Sequence, residues 1–338
     1  MSGSGTRTAS AVAHANIAFS KYWGKRPHAG NFPAVPSLSL TLDAMTTRTR
    51  VSFDGSLSAD RLVLNGEEQQ GRPVERVVSM LSRVRDAAGL RDFAEVVSDN
   101  DFPTASGLAS SASGFAALAL ASVTAAGVDW GLDRVSDLAR QSSASAARSL
   151  FGGFVELDAG PPEPTSAPLS ARCLVPPGEV DWRLLVVALG NAKKDVSSTD
   201  GMVRTALESP YYPAWLDVAP HLHVELRTAL LARDFERFGA VAERSALAMH
   251  ASAFAAGVVY WQAPTLAILA VVRELRTSGT AVFATMDAGP HVKVLVRPRD
   301  TERVKASLAA VSGVGRILEA RGAEGAKLVA PAAAEAIP

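Results

Sequence analysis

The run Pro103-Thr-Ala-Ser-Gly-Leu-Ala-Ser-Ser-Ala-Ser-Gly-Phe115 passes straight into the alanine-rich apolar stretch 116–121, and that junction constrains the fold more than any other part of the chain. A glycine- and serine-rich loop that opens into a helix of small apolar residues must bury the helix body and offer its start to something. Gly107 lets backbone approach a ligand closely, and Ser110, Ser111 and Ser113 stand where free N–H groups and the positive end of the helix dipole would meet an anion. Hydroxyls there also suit a magnesium ion. The same residues equally make a plain N-cap with close helix packing, so the rest of the chain has to decide.

A chain of 338 residues, 48% hydrophobic and 20% charged, is large enough for two cores. Its formal net charge is zero and it has no Lys/Arg block, so neither nucleic acid nor an anionic membrane finds an electrostatic footprint. A phosphorylated small molecule needs only a local patch. Cys173 is the one cysteine, which excludes an internal disulfide or a multi-thiolate metal site and makes the cytoplasm the expected address. No apolar run approaches the roughly 20 residues of a membrane span. There are only 7 Lys against 27 Arg, and four of the seven fall at Lys21/Lys25 and Lys193/Lys194. A compact ammonium suits a phosphate oxygen better than a fork, although chance clustering and genome composition explain the pattern as well.

Strand patterns occur at 45–53, 61–64 before the hairpin signal Asn65-Gly66, 93–98, 153–157, 181–189, 281–285, 292–296 and 327–330. Helix patterns occur at 73–88, 110–126, 133–140, 198–208, 222–231, 234–253, 264–278 and 303–310. The expectation is a two-lobed α+β fold around a central cleft, with mixed and largely antiparallel sheets. Its lobes are 11–185 and 186–330, between a disordered 1–10 and a flexible tail 331–338. His221 and His223 lie on a helix with no cysteine near in sequence, and solvated or packing roles are expected rather than a metal site.

Five segments have the small, hydroxylated and charged composition of site loops. In Asn16–Arg26, Lys21 and Lys25 could clamp phosphates while Tyr22 and Trp23 wall a pocket; a surface hairpin with solvated lysines is the alternative. The second segment is the serine-rich loop. In 142–154, Arg148 sits among tiny residues, where its fork suits a carboxylate, unless it faces outward from a helix–helix contact. In 193–202, Ser197, Ser198 and Thr199 lead into a helix and offer a second anion site, while Asp200 could instead complete an ordinary capped start. In 285–291, Asp287 ends a strand and is placed to take or orient a hydroxyl proton, or to stabilise a turn. Together they are the equipment for phosphoryl transfer to an anionic small molecule.

Tyr22-Trp-Gly-Lys25, Pro103-Thr-Ala-Ser-Gly-Leu-Ala-Ser-Ser-Ala112, Ala147-Arg-Ser-Leu-Phe-Gly-Gly-Phe154 and Asp195-Val-Ser-Ser-Thr-Asp-Gly-Met202 closely resemble segments of the diphosphomevalonate decarboxylases, in the GHMP kinase superfamily. The resemblance runs from about residue 15 to 296, and Pro36–Leu42 and Met249–Ala251 also match. It implies ATP-dependent decarboxylation of mevalonate 5-diphosphate to isopentenyl diphosphate, with ATP and Mg2+ required and a homodimer as the usual assembly. By motif position, Asp287 orients or deprotonates the C3 hydroxyl, Lys21 sits beside it, and Arg148 holds the substrate carboxylate with help from Asn16. Tyr22, Lys25, Ser143, Ser145, Ser197 and Ser198 contact substrate or its diphosphate. Pro103, Ser106, Gly107, Leu108, Ala109, Ser110, Ser111 and Ser113 cradle ATP, and Ser110 and Ser111 are the candidate Mg2+ contacts. Three residues depart from the family pattern: His291 replaces an Asn, Ser20 an apolar residue, and Thr199 an Arg that touches diphosphate in some bacterial relatives. Alternatives are a mevalonate 5-phosphate decarboxylase, a small-molecule kinase of the same superfamily, or a catalytically silent relative, against which Asp287 speaks.

Overall fold

Every second residue from Met45 to Phe53 is buried while those between are half-exposed, the signature of a strand with one face on a core. The computed structural model describes residues 7–28, 30–102, 110–163, 165, 167–190 and 195–330. That alternation belongs to β2 (Ser37–Asp54), which pairs along its length with β1 (Arg7–Ser20) and β5 (Phe93–Asn100). The sheet runs β12-β1-β2-β5-β3-β4, adding β3 (Arg61–Leu64), β4 (Glu67–Glu68) and β12 (Lys327–Val329). At the other end of β2, β6 (Phe154–Leu157) pairs with it and β7 (Arg172–Val175) pairs with β6. The only parallel pair in this sheet among the described residues is β3 with β5.

Helices α1 (Arg72–Ala88), α2 (Ser110–Ala125), α3 (Leu132–Ser142) and the short α4 (Ala146–Ser149) cover the buried face. Six alanines of α2, at 112, 116, 117, 119, 121 and 125, are buried, so this helix lies close to the sheet and carries no polar face. Its serine-rich start is thereby held at the rim of a cleft.

The second sheet is wholly antiparallel in the order β11-β8-β10-β9, from β8 (Arg183–Leu189), β9 (Val282–Met286), β10 (Val292–Val296) and β11 (Val314–Ala320). All five residues of both β9 and β10 are buried. The reason is cover on both faces: Leu184, Val186, Phe283 and Leu295 pack toward α6 (Tyr212–Leu231), α7 (Phe235–Phe254) and β1, and the alternate residues pack toward α8 (Ala263–Thr277) and α9 (Thr301–Ala309). Helix α5 (Ser198–Glu208) lies at the cleft edge. An aromatic knot fastens the two sheets, with the Phe238 ring 5.0 Å from Phe19, 5.6 Å from Phe154 and 4.9 Å from Trp182.

Several expectations are corrected. The first strand begins at Arg7, inside the stretch read as disordered, because β2 and β12 pair with it on both sides. Helix α6 starts ten residues before the expected 222; burial of Trp215, Ala219 and Leu222 outweighs Pro220, which lies inside it. The edge strand β11, with its weak alternation, and the short β4, β7 and α4 had no readable pattern.

His223 is a buried packing histidine after all, but a bonded one: Nδ1 lies 2.9 Å from Ser20 Oγ and Nε2 lies 2.8 Å from Glu156 Oε1. His221 is exposed. Burial alone would discourage ionisation of Glu156, yet hydrogen bonds from His223 and Arg172 overcome it and bring its carboxyl down to about 2. Because the folded value lies below the ordinary 4.5, this stabilisation is complete above that pH and disappears as pH falls toward 2. Glu156→Gln should lower the unfolding free energy by ~1–3 kcal/mol at pH 7 and flatten its fall between pH 5 and 2, measured by urea denaturation across pH.

Candidate active site

The site is built where β1 and β9 end side by side. Lys21 follows β1 and Asp287 follows β9, and Lys21 Nζ donates to Asp287 Oδ1 at 2.8 Å and to the Ala18 carbonyl at 2.5 Å. Lys293 Nζ reaches the other carboxylate oxygen, Oδ2, at 3.2 Å. The ammonium groups lie beneath and the carboxylate faces out: side-chain exposure is 2% for Lys21, 0% for Lys293 and 26% for Asp287. Burial would raise the Asp287 pKa, but the two lysines dominate and hold it well below the usual carboxylate range. Burial brings Lys21 down to about 8 against the pull of Asp287.

Arg148 projects from α4 with its guanidinium immobilised. Nε donates to Ser39 Oγ at 2.8 Å, Nη1 to Ser37 Oγ at 2.6 Å and Nη2 to Asn16 Oδ1 at 3.2 Å. Guanidinium has five N–H donors, so two remain for a ligand. Burial lowers its pKa to about 10, which leaves it charged at neutral pH. Asn16 in turn spends its amide on the Ser145 carbonyl at 2.9 Å and Ser149 Oγ at 2.8 Å. It therefore sets the position of Arg148, with no N–H left over for substrate.

Asp287, Lys21, Arg148, Tyr22, Lys25, Ser143, Ser145, Ser197, Ser198, Ser110 and Ser111 all border one cleft of about 1140 Å³. That exceeds the ~1,000 Å³ upper end for a single-ligand pocket and leaves room for two substrates. Tyr22 Oη is buried with no hydrogen-bond partner among the described residues, and burial raises its pKa above the ordinary phenol range. A buried hydroxyl in that state is ready for a ligand. The tight turn beside it requires Gly24, at φ 111°, where a Cβ would come 2.1 Å from Tyr212 Oη.

Two hydroxyls are committed elsewhere. Ser113 is fully buried under β2, 2.6 Å from Thr47 Oγ1, and does not border the cleft, which corrects its assignment to the ATP cradle. Ser197 caps α5, accepting from Asp200 N at 3.1 Å and donating to Asp200 Oδ2 at 2.5 Å, so the capped-start reading describes its hydroxyl. Pro103, Ser106, Gly107, Leu108 and Ala109, with Lys193 and Lys194, lie outside the described residues.

The residues match two family models: the diphosphomevalonate decarboxylase-like N-terminal domain over 13–167, and the mevalonate 5-diphosphate decarboxylase C-terminal domain over 184–327. A diphosphomevalonate decarboxylase of Aspergillus fumigatus is 34% identical over 325 residues, covering 90% of this chain and 80% of that one. The chain belongs to the diphosphomevalonate decarboxylase family. A phosphomevalonate decarboxylase of Haloferax volcanii is 32% identical over 307 residues, covering 89% and 92%. A solved complex of MDDEF with MVAPP, AMPPCP and magnesium superposes with a TM-score of 0.89 at 39% identity, covering 96% of this chain and 99% of that one. The fold is the mixed α+β, GHMP-kinase-like architecture of this family.

Within the family frame, sequence reasoning missed Ser37 and Ser39, Lys293, and the pair Arg72 and Arg76. Arg72 opens α1 and Arg76 follows one turn later, both on the cleft, where burial first and then these two charges depress the Lys25 pKa. A signal existed: arginine in the first turn opposes the helix dipole and so calls for an anion nearby. Leu62, Leu64, Val77 and Leu118 form an apolar slot in the same cleft, rimmed by Ser98 and Asn100.

Since the Lys21 proton is lost near pH 8, kcat/KM should decline above about that value as the positive charge beside Asp287 disappears. Lys21→Arg should abolish that alkaline limb up to pH 10; an identical limb in the variant would assign it to another group.

Proposed function

We propose that the cleft catalyses ATP-dependent decarboxylation of mevalonate 5-diphosphate to isopentenyl diphosphate, releasing ADP, phosphate and carbon dioxide. What carries this reading is the facing pair: an ionised Asp287 clamped by buried lysines, and an immobilised Arg148 with donors to spare, inside a cleft sized for two substrates. Residues 11–185 supply the nucleotide slot, and residues 186–330 supply Asp287.

Arg148 takes the substrate carboxylate on its free N–H pair, which places the C3 hydroxyl at Asp287. Lys25, Arg72 and Arg76, with Tyr22, Ser143, Ser145 and Ser198, receive the diphosphate. The apolar slot receives the adenine. Ser110 and Ser111, hard oxygen donors at the start of α2 on the cleft, would help hold a magnesium ion, which would neutralise nucleotide phosphate charge when bound. Asp287 is a weak base, and a weak base suffices when the transition state is loose, because the hydroxyl becomes strongly acidic only as its bond to phosphorus forms. Lys21 balances charge at that oxygen. Departure of the tertiary phosphate leaves positive charge at C3; the carboxylate electrons then form the alkene and carbon dioxide leaves. The diphosphate stabilises that cation.

The Haloferax relative and Thr199 favour a second reading, decarboxylation of the 5-monophosphate. A homodimer is the proposed assembly, consistent with Val203, Leu207 and Tyr211 at 51%, 80% and 60% exposure along one edge. The cytoplasm, where ATP is supplied, is the proposed compartment; among the described residues no helix is long and apolar enough to cross a membrane.

Purified protein with ATP should release carbon dioxide from mevalonate 5-diphosphate in preference to the 5-monophosphate or mevalonate; preference for the monophosphate would install the second reading. Asp287→Ala should cut kcat by roughly 10³-fold or more with substrate binding retained, and Arg148→Lys by roughly 10²-fold, since one ammonium cannot reproduce a bidentate contact. Single-turnover assays and calorimetry separate the two effects.

A further inference from the structure

Lys293 does not border the cleft, yet it is fully buried and its ammonium has one anionic neighbour among the described residues, Asp287 Oδ2 at 3.2 Å. It also donates to the His291 carbonyl, at 3.5 Å. The strand register explains how it gets there. Lys293 on β10 is directly opposite Thr285 on β9, so both side chains emerge on one face, and Asp287 lies two residues on, just past the end of β9, where its carboxylate meets the Lys293 ammonium. A buried ammonium is costly unless paired, and this one shares its only carboxylate with Lys21. A purely structural pairing would not need a second cation on one anion.

We propose that Lys293 is a positioning residue for phosphoryl transfer: from behind the cleft it holds Oδ2 while Lys21 holds Oδ1, so that the Asp287 carboxylate keeps one orientation and stays ionised whatever enters the cleft. This inference rests on the function proposed above. The groups facing Asp287 are Lys21 after β1, Arg148 from α4, His250 from α7 and Lys293 from β10. Burial first, then Lys21, pushes His250 down to about 3, so its ring is neutral and adds no charge near pH 7. With Lys293 removed, Lys21 and Arg148 are the cations left. The carboxylate then has one oxygen loose and a weaker field, and its pKa moves up toward the ordinary carboxylate value.

The test is a double-mutant cycle with Lys293→Met and Asp287→Asn. Lys293→Met should lower kcat about 100-fold, as for a misplaced catalytic group, with KM for both substrates within about 3-fold. Its kcat should also fall away below about pH 5, where the wild-type rate is still flat. The double variant should be no slower than Asp287→Asn alone. Wild-type kcat and an unchanged acid limb in Lys293→Met, or a double variant slower than Asp287→Asn by the full single-variant factor, would overturn the proposal. Thermal unfolding gives a readout that needs no turnover. Asp287→Asn, with two lysines uncompensated, should lose about 5 °C in Tm, and adding Lys293→Met should restore most of it. Additive Tm changes would refute the clamp. A wild-type protein that releases no carbon dioxide while the Tm changes still cancel would refute the assigned reaction alone.

Discussion

The contact between Lys21 and Asp287 is the one on which the remaining architecture turns, because it brings together the ends of strands from two different sheets. A lysine with 2% exposure cannot remain charged away from its partner, so the sheets must close on each other for either group to be tolerated. The aromatic knot around Phe238 supplies the apolar part of that closure. Lys21 is held along its backbone as well, its N–H donating to Ser245 Oγ at 3.0 Å from α7. The placement of Lys21 against Asp287 is thus a consequence of how the two sheets meet.

The charge arrangement follows from the same closure. The chain as a whole is neutral, but the cleft and its backing gather Lys21, Lys25, Arg72, Arg76, Arg148 and Lys293 against Glu75, Asp195, Asp200 and Asp287. A net excess of cations in a partly desolvated space is stable only if modest, and it attracts ligands of opposite sign. Nucleotide triphosphate and a phosphorylated carboxylate together supply that sign. Each immobilised cation is oriented before ligand arrives, which is where electrostatic catalysis gains most.

Much of this was legible in the chain. Strand alternation in β2, the Asn65-Gly66 turn with both residues at positive φ, and the exact span of α5 were readable from period and capping residues. So were Asp287 and Arg148 as charges among small neighbours, and Lys21 as one of two lysines flanking an aromatic pair and a glycine. What escaped depended on partners far away in sequence. Ser37 and Ser39 look like any buried strand positions until Arg148 arrives from 109 and 111 residues away. Ser113 shares its residue type and spacing with the serines that face the cleft, and only the rotation of α2 turns it to Thr47. Lys293 reads as an interruption in an apolar strand, although its rarity in a chain with 7 lysines was a usable hint.

The three departures from the family pattern do not carry equal weight, and the structure ranks them. Ser20 points away from the cleft into a buried chain with His223 and Glu156, replacing apolar packing behind Lys21 by a fully partnered polar one. His291 is likewise internal, at 1% exposure, with Nδ1 accepting from Leu189 N at 3.0 Å across to β8. Each change is compensated within the core, so neither bears on which substrate enters. Thr199 alone borders the cleft. The same cleft carries Arg72 and Arg76 on α1, with Arg72 3.9 Å from Asp200 across the lobe boundary. Of the three positions, 199 is therefore the one whose side chain a ligand in the cleft can meet.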